Sequence, residues 1–324
     1  MARPGGLLFP ILSGSPFALR LILSRTGCAI HNPTIVELSS ISLRFQTRCL
    51  RPMAKIVSFA LRARRMLQLK NVTIFGTGLI GGSLALALKR AFPGVRISGV
   101  DNPDVLARAQ KLGIIDVTGL EAADLVVLAA PVGEILGLLD QISKDSPLVT
   151  DVGSTKASIC NKAERLGLNF VGGHPMAGLE QSGPEAASAD LLRDAPFFLC
   201  PLRSAPAAVE RMKDIVAAIH AVPHVISAEE HDRLVAQISH LPQIVSSILA
   251  EHTASHKDLA GPGLRSMTRL AGSPFHVWRD IFETSGFLPK ELQSFIQRLQ
   301  YVVASMEAGN LDEIEKLFKR GGSR

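Results

Sequence analysis

From Asn71 onward, short apolar runs alternate with stretches in which apolar residues recur every three to four positions. The short runs are rich in β-branched residues and predict strands, whereas the longer stretches predict amphipathic helices. The predicted strands are NVTIF, RISGV, DLVVLAAP, PLVTDVGS and NFVGGHPMAG. DLVVLAAP is a continuous apolar run, which is typical of a strand that is buried on both faces of a parallel sheet. The alternation therefore predicts a Rossmann-type α/β domain with a doubly wound parallel sheet over residues 71–202.

After Leu202 the pattern becomes helical, which predicts a second, all-helical domain over residues 203–324. Ser227 and Glu230 have the S-x-x-E spacing of a capping box and predict the start of one of its helices. An apolar stripe near the end of the chain predicts ordinary core packing, with a dimer interface as the alternative. The stripe comprises Leu292, Phe295, Ile296, Leu299, Val302 and Val303. We expect this domain to complete a small-molecule pocket and to form a homodimer.

Residues 1–70 form a basic leader, because they contain eleven Lys and Arg residues and a single acid, Glu37. Apolar, Ser and Arg residues with almost no acids are typical of an organellar transit peptide. The alternatives are a disordered extension or a start assigned too far upstream, with Met53 or Met66 as the true first residue. We exclude the leader from the fold. We expect a cytoplasmic protein, or an organellar one if the leader is a transit peptide.

Beyond the leader the chain has 24 Lys and Arg residues and 28 acids, so it is mildly acidic. The positive net charge of +6 therefore comes from the leader. Without a basic face, and with one Trp and one Tyr, the chain is not expected to bind nucleic acid. The sequence contains no uninterrupted run of about 18 apolar residues, so we predict no membrane span. The cysteines form no CxxC pair, and His252 and His256 are four residues apart without a third ligand in the pattern. We therefore predict no metal site.

Gly76, Gly78 and Gly81 form a G-x-G-x-x-G motif between the first predicted strand and the first predicted helix. The first glycine permits a tight turn, the second lets a pyrophosphate approach the backbone, and the third lets helix and strand pack closely. Asp101 ends the second predicted strand, where a carboxylate accepts hydrogen bonds from ribose hydroxyls and repels a 2′-phosphate. The sequence thus predicts NAD rather than NADP as the cofactor. The other predicted cofactor contacts are Thr77, Leu79, Ile80, Ala130 and Pro131.

Four motifs follow along the chain, namely DVGSTK, GGHPMAGLE, GPGLRSMTR and SPFHVWRDIF. In this order they resemble motifs of the prephenate and arogenate dehydrogenases, and the resemblance extends from Asn71 to about Leu317. It implies that the all-helical domain is similar to that of 6-phosphogluconate dehydrogenase. It also implies oxidative decarboxylation of prephenate to 4-hydroxyphenylpyruvate, with hydride transfer to NAD, in tyrosine biosynthesis. Such a reaction needs a proton acceptor, an anion-binding group and a nicotinamide ring held against the carbinol carbon.

The resemblance implies that His174 is the catalytic histidine, which takes the proton of the substrate hydroxyl; imidazole suits this task near neutral pH. Ser154 is similar to a family serine that bonds this histidine or the hydroxyl, and it is also expected to cap a helix starting at Thr155. Arg269 matches the arginine that binds the ring carboxylate, a task that suits a planar bidentate donor. We expect the side chain of Lys156 to be solvated.

Three more residues are expected near the substrate through the resemblance. His240 matches a histidine lining the pocket, Glu180 a residue that gates it, and Trp278 a residue that packs beside the arginine. For Glu180 and Trp278, plain packing or surface positions are the alternatives. The chain departs from the family at Ser266, where relatives commonly have an acid, and at Gln243, where a second histidine is frequent.

Other functions remain open from the sequence. Arogenate dehydrogenase differs only in accepting an amine where prephenate has a keto group. A more distant two-domain NAD(P)-dependent reductase of the β-hydroxyacid or imine type would use a lysine on the helical domain. It would not explain GGHPMAG together with Arg269. An NAD-sensing or structural dimer with a decayed site predicts loss of His174 or Arg269, and both are present.

Overall fold

A computed structural model describes residues 69–146, 148–179 and 181–322. Its strands are β1 (Asn71–Phe75), β2 (Arg96–Val100), β3 (Val117–Thr118), β4 (Leu125–Leu128), β5 (Val149–Asp151), β6 (Phe170–Pro175), β7 (Pro196–Pro201) and β8 (Val222–Val225). Its α-helices are α1 (Leu79–Ala91), α2 (Pro103–Lys111), α3 (Val132–Leu138), α4 (Ala157–Leu166), α5 (Pro206–Ala218), α6 (Ala228–Val235), α7 (Leu241–His252), α8 (Pro262–Thr268), α9 (Phe275–Thr284), α10 (Leu288–Glu307) and α11 (Leu311–Gly322). The predictions for the leader fall on residues 1–68, outside the described residues, apart from Leu69 and Lys70.

The strands form one eight-stranded sheet in the order β3-β2-β1-β4-β5-β6-β7-β8. The order steps outward from β1 in both directions, which confirms the prediction of a doubly wound sheet. Six of the seven pairings are parallel, and β6 with β7 is antiparallel. The exception arises because the described residues between β6 and β7, 176–179 and 181–195, contain no α-helix, and a parallel return would need such a crossover.

The sheet continues beyond Leu202, the boundary that the sequence pattern predicts for the α/β part. Helix α5 is followed by β8, and β8 pairs in parallel with β7. The stretch that looks purely helical in sequence therefore begins with one more helix and strand of the sheet. The layer built on the sheet runs to Val225 in the structure.

The core lies around the middle strands because both of their faces are apolar. Ile74 of β1, Val127 of β4 and Val149 of β5 are fully buried. In β1 and β5 successive residues are buried rather than alternate ones, as expected for strands that are covered on both faces. Strands β1 to β6, which are parallel, bring their carboxyl ends to one edge of the sheet, where ligands bind in folds of this type.

The helical part begins with the predicted capping box, which is confirmed. Ser227 Oγ accepts a hydrogen bond from the N–H of Glu230, and the Glu230 carboxylate accepts one from the N–H of Ser227. A π-helical turn, Ala236–His240, then joins α6 to α7. Within the ranges described, no helix is both long and apolar enough to cross a membrane.

The late apolar stripe lies on α10, and part of it faces outward in the single chain. Ile296 is 44%, Leu299 52% and Val303 54% exposed. The prediction of ordinary core packing is therefore wrong for these three side chains. Their exposure favours the alternative, an interface with a second chain.

Candidate active site

The glycine motif forms the turn between β1 and α1. Gly76 has a positive φ of +88°, and a Cβ there would lie 2.1 Å from the carbonyl oxygen of Ala129. A Cβ at Gly81 would lie 1.9 Å from the carbonyl oxygen of Gly76, so helix and turn are in close contact. A Cβ at Gly78, in contrast, would have nothing within 4 Å. The first and third glycines therefore pack against protein, while the second borders open space.

The residues around this turn fit a dinucleotide. Helix α1 has Gly78 as its N-cap, without a capping side chain and without an acid in its first turn. Its first N–H groups thus have no intrahelical partner and can bind phosphate oxygens. Leu79 and Ile80 are half-buried in that first turn. Ala130 and Pro131 follow β4, which pairs directly with β1, so they lie at the same edge of the sheet.

Asp101 stabilises the glycine turn from the end of β2. Its Oδ2 accepts hydrogen bonds from the N–H of Thr77, at 2.6 Å, and from Thr77 Oγ1, at 3.3 Å. Its Oδ1 accepts the N–H of Asn102 at 2.7 Å. The carboxylate therefore holds the turn in place, and its contact with ribose hydroxyls stays a prediction.

His174 lies near the carboxyl end of β6 and is 8% exposed. Its Nδ1 is 2.9 Å from Nε2 of His231, which lies on α6. Burial lowers the pKa of His174 well below the ordinary 6.5, and His231, Lys156 and His240 lower it further. The imidazole is consequently neutral at pH 7 and able to accept a proton.

The DVGSTK loop after β5 differs from the prediction in two ways. Helix α4 begins at Ala157, so Ser154 is not its N-cap; the carboxylate of Asp232 caps the helix instead. In the described chain, half-buried Ser154 makes no hydrogen bond to His174. The prediction that Lys156 is solvated is also wrong, because its side chain is fully buried and pairs with Asp151. The ammonium group of Lys156 is thus paired with the carboxylate of Asp151 in β5, the strand that precedes the loop.

His240 is 1% exposed and lies at the end of the π-helical turn. Its Nδ1 is 2.8 Å from Ser285 Oγ, and its ring packs edge-on against Trp278 with centroids 6.1 Å apart. Its Nε2 is buried and has no hydrogen-bond partner in the described parts of the chain. Burial lowers the pKa of His240 to about 4, so this nitrogen belongs to a neutral ring. An unpaired buried nitrogen is what a residue lining a polar pocket would present.

Arg269 is exposed and begins a short 3₁₀ turn, Arg269–Gly272. Helix α7 anchors this turn, because Gln243 Nε2 donates to the carbonyl oxygen of Leu270 at 2.8 Å. The N–H of Ala271 donates to Ser246 Oγ at 3.1 Å. Gln243 thus anchors the turn that begins at Arg269, a role that the sequence did not suggest.

Glu180, the predicted gate, lies outside the described residues.

Helix α9 connects the helical part to the start of α3 and to the loop after β5, at the edge of the sheet. Asp280 Oδ2 accepts the N–H of Gly133, in the first turn after β4, at 2.8 Å. The Oγ1 atoms of Thr284 and Thr155, in the loop after β5, are 2.7 Å apart. These contacts hold the Trp278 helix over the side of the sheet that carries the glycine turn.

His231 and Asp232 are the polar residues that sequence reasoning missed near His174. Both are buried, at 0% and 2% exposure, although they lie in a helix stretch that looks amphipathic. A signal was present, since His231 lies four residues before Val235 and therefore on the apolar face of α6. A polar side chain on a buried face is the informative exception.

Comparison with known proteins identifies two matching domains along the chain. The family model described as the prephenate dehydrogenase nucleotide-binding domain matches residues 84–225, and the prephenate dehydrogenase dimerization domain matches residues 227–320. A prephenate dehydrogenase of Lactococcus lactis subsp. cremoris is 34% identical over 78% of this chain and 76% of its own. A cyclohexadienyl dehydrogenase of Zymomonas mobilis subsp. mobilis is 32% identical over 75% of this chain and 92% of its own.

Solved structures extend the comparison. Prephenate dehydrogenase from A. aeolicus, in complex with hydroxyphenyl propionate and NAD+, superposes with a TM-score of 0.71 at 29% identity, covering 80% of this chain and 99% of that one. Synechocystis arogenate dehydrogenase superposes with a TM-score of 0.66 at 27% identity, covering 78% and 97%. The two domain matches, together with this identity over most of the chain, show that the chain belongs to the prephenate dehydrogenase family.

Proposed function

We propose that this protein oxidises prephenate to 4-hydroxyphenylpyruvate and carbon dioxide, with NAD as the hydride acceptor, in tyrosine biosynthesis. The observation that carries the proposal is a buried, neutral imidazole, His174, at the edge of the sheet where the glycine turn would hold the cofactor. The two prephenate dehydrogenase domain matches and the similarity to a prephenate dehydrogenase of Lactococcus lactis support the substrate.

Each side chain has a defined task in this reaction. His174 accepts the proton of the substrate hydroxyl while the hydrogen on the same carbon leaves with its electron pair. Arg269 binds the ring carboxylate, and His240 and Trp278 line the pocket. NAD, held by the glycine turn and the N-terminus of α1, supplies the hydride-accepting ring. Loss of the carboxylate as carbon dioxide then leaves an aromatic product.

The experiment that tests the proposal is a side-by-side assay of the full chain with prephenate or arogenate, and with NAD or NADP. NADH absorbance should rise with prephenate and NAD. We expect kcat/KM with NAD to exceed that with NADP by at least about tenfold, because the Asp101 carboxylate repels a 2′-phosphate. A higher kcat/KM with arogenate than with prephenate would indicate an arogenate dehydrogenase instead. We include this substrate because the chain is also similar to the Synechocystis arogenate dehydrogenase. No turnover with either substrate would contradict the proposal.

The glycine turn provides a matched pair of variants for the cofactor site. Gly78→Ala should leave the thermal midpoint unchanged, since a Cβ there meets nothing within 4 Å, but its methyl group would occupy the approach of the pyrophosphate. We expect NAD affinity to fall by at least about tenfold, or 1.4 kcal/mol. Gly81→Ala should instead lower stability by about 1–3 kcal/mol, because its Cβ overlaps the Gly76 carbonyl. Calorimetric titration and thermal unfolding would separate the two effects. Unchanged NAD affinity in Gly78→Ala would contradict the site.

We also infer that the protein is a homodimer. The exposed apolar side chains of α10 support this, as does the family description of residues 227–320 as a dimerization domain. Sedimentation should return the mass of two chains, and a monomer at micromolar concentration would argue against it.

A further inference from the structure

Three buried side chains form a continuous hydrogen-bonded chain that ends at His174. His174 Nδ1 is 2.9 Å from His231 Nε2, and His231 Nδ1 is 2.8 Å from Asp232 Oδ1. His231 is fully buried and Asp232 is 2% exposed. The reaction proposed above gives neither of them a task. Buried polar groups of this kind are costly unless they are paired, so their arrangement restricts which atoms carry hydrogen.

The direction of the chain is set at Asp232. Its Oδ1 accepts the N–H of Lys156 at 2.7 Å, and its Oδ2 accepts the N–H of Ala157 at 2.9 Å. These N–H groups belong to the start of α4, where the helix dipole favours a negative charge. Asp232 is therefore a carboxylate that only accepts hydrogen bonds.

An acceptor at one end determines the tautomer of both rings. His231 must carry its hydrogen on Nδ1 to donate to Asp232, which leaves its Nε2 as an acceptor. His174 must then carry its hydrogen on Nδ1 to donate to His231. The one position left without a hydrogen is Nε2 of His174, and this is the atom that can accept a proton from a substrate.

We infer that His231 and Asp232 are positioning residues that hold His174 in its proton-accepting tautomer and stabilise the cation formed during turnover. The inference rests on the proposed function. In the step itself, the substrate O–H bond breaks and an N–H bond forms at Nε2 of His174. The positive charge that develops on the His174 ring is stabilised by its hydrogen bond to His231, which is in turn hydrogen-bonded to the Asp232 carboxylate.

Packing prevents His231 from adopting another orientation. Its ring packs edge-on against Phe198, with centroids 5.3 Å apart, and also edge-on against His174. Phe198 on β7 is directly opposite His174 in the strand pairing, so the sheet fixes both neighbours of His231. The ring is therefore held on three sides: by Phe198, by His174 and by the carboxylate.

Two substitutions at His231 in the full chain test the inference. His231→Leu removes both hydrogen bonds, so His174 can take either tautomer; kcat for prephenate should fall roughly 10²-fold. KM for prephenate and the Kd for NAD should change by less than about threefold, because the His231 side chain is fully buried. His231→Gln keeps an acceptor within reach of His174 Nδ1 but does not connect it to Asp232. Its kcat should lie between those of the wild type and His231→Leu. Equal kcat in all three proteins would overturn the inference.

A readout that does not depend on turnover separates this inference from the proposed function. Nitrogen-15 NMR of labelled histidines in the resting protein should show His174 and His231 protonated on Nδ1. In His231→Leu, a share of His174 should become protonated on Nε2. A wild-type His174 protonated on Nε2 would overturn the inference even in an active enzyme. The expected tautomers in a protein that turns over neither substrate would support the inference and contradict the function.

Discussion

Replacing His174 by Asn is expected to lower kcat for prephenate by about 10²–10⁴-fold, the usual contribution of a positioned proton acceptor. Asn is similar in size and can accept a hydrogen bond from the substrate hydroxyl, but it cannot take the proton. NAD affinity should be unchanged, because the glycine turn follows β1 whereas His174 lies in β6. Steady-state kinetics and calorimetric titration with NAD measure the two quantities.

The pH dependence of the wild type gives a second test of the same residue. Burial and the neighbouring His231, Lys156 and His240 lower the pKa of His174 well below 6.5. The neutral ring is the active form, and kcat/KM reports the pKa of the ligand-free enzyme, so kcat/KM should stay constant as the pH falls through 6.5 and decrease only at lower pH. His256→Asn, at an exposed position, is a matched control that should leave kcat unchanged. An active His174→Asn enzyme would remove His174 from its proposed role.

Replacing Lys156 by Met is expected to lower the free energy of unfolding by about 3–5 kcal/mol. Lys156 and Asp151 are both fully buried and form an ion pair, so the substitution leaves a carboxylate inside the core without its counter-charge. Hydrogen bonds from the N–H groups of Gly153 and Gly173 to Asp151 remain but do not neutralise it. Chemical denaturation measures the loss, which corresponds to a fall in the thermal midpoint of roughly 10 °C.

Two further proteins distinguish the charge effect from a packing effect. The double variant Asp151→Asn with Lys156→Met removes both charges and should recover part of the lost stability. Lys144→Met replaces an exposed lysine and should change stability by less than about 0.5 kcal/mol. A Lys156→Met protein as stable as the Lys144→Met control would show that the buried pair does not stabilise the fold.

The sheet, the glycine turn and the capping box could be predicted because each has a local signature. Residues 71–75 form a strand on their own pattern, and the closest contact of a Cβ at Gly81 would be with Gly76, five residues away. Such features depend on neighbours in sequence. They can therefore be recognised in one amino-acid sequence without knowledge of the fold.

The buried polar residues could not be predicted, because their partners are distant along the chain. Lys156 resembles a solvated residue of a first helical turn until the fold places it beneath the loop, beside Asp151. Asp232 caps a helix that begins 75 residues earlier, at Ala157. The exposed face of α10 is a different case, since the pattern of an interface helix is the same as that of a core helix.

The two hydrogen bonds of α9 have a mechanical consequence. The first turn of α3 and the loop after β5, which make these bonds, follow the adjacent strands β4 and β5 and are neighbouring parts of one rim. Because one helix is hydrogen-bonded to both parts, a motion that separates them must either break one of the two bonds or move α9 as well.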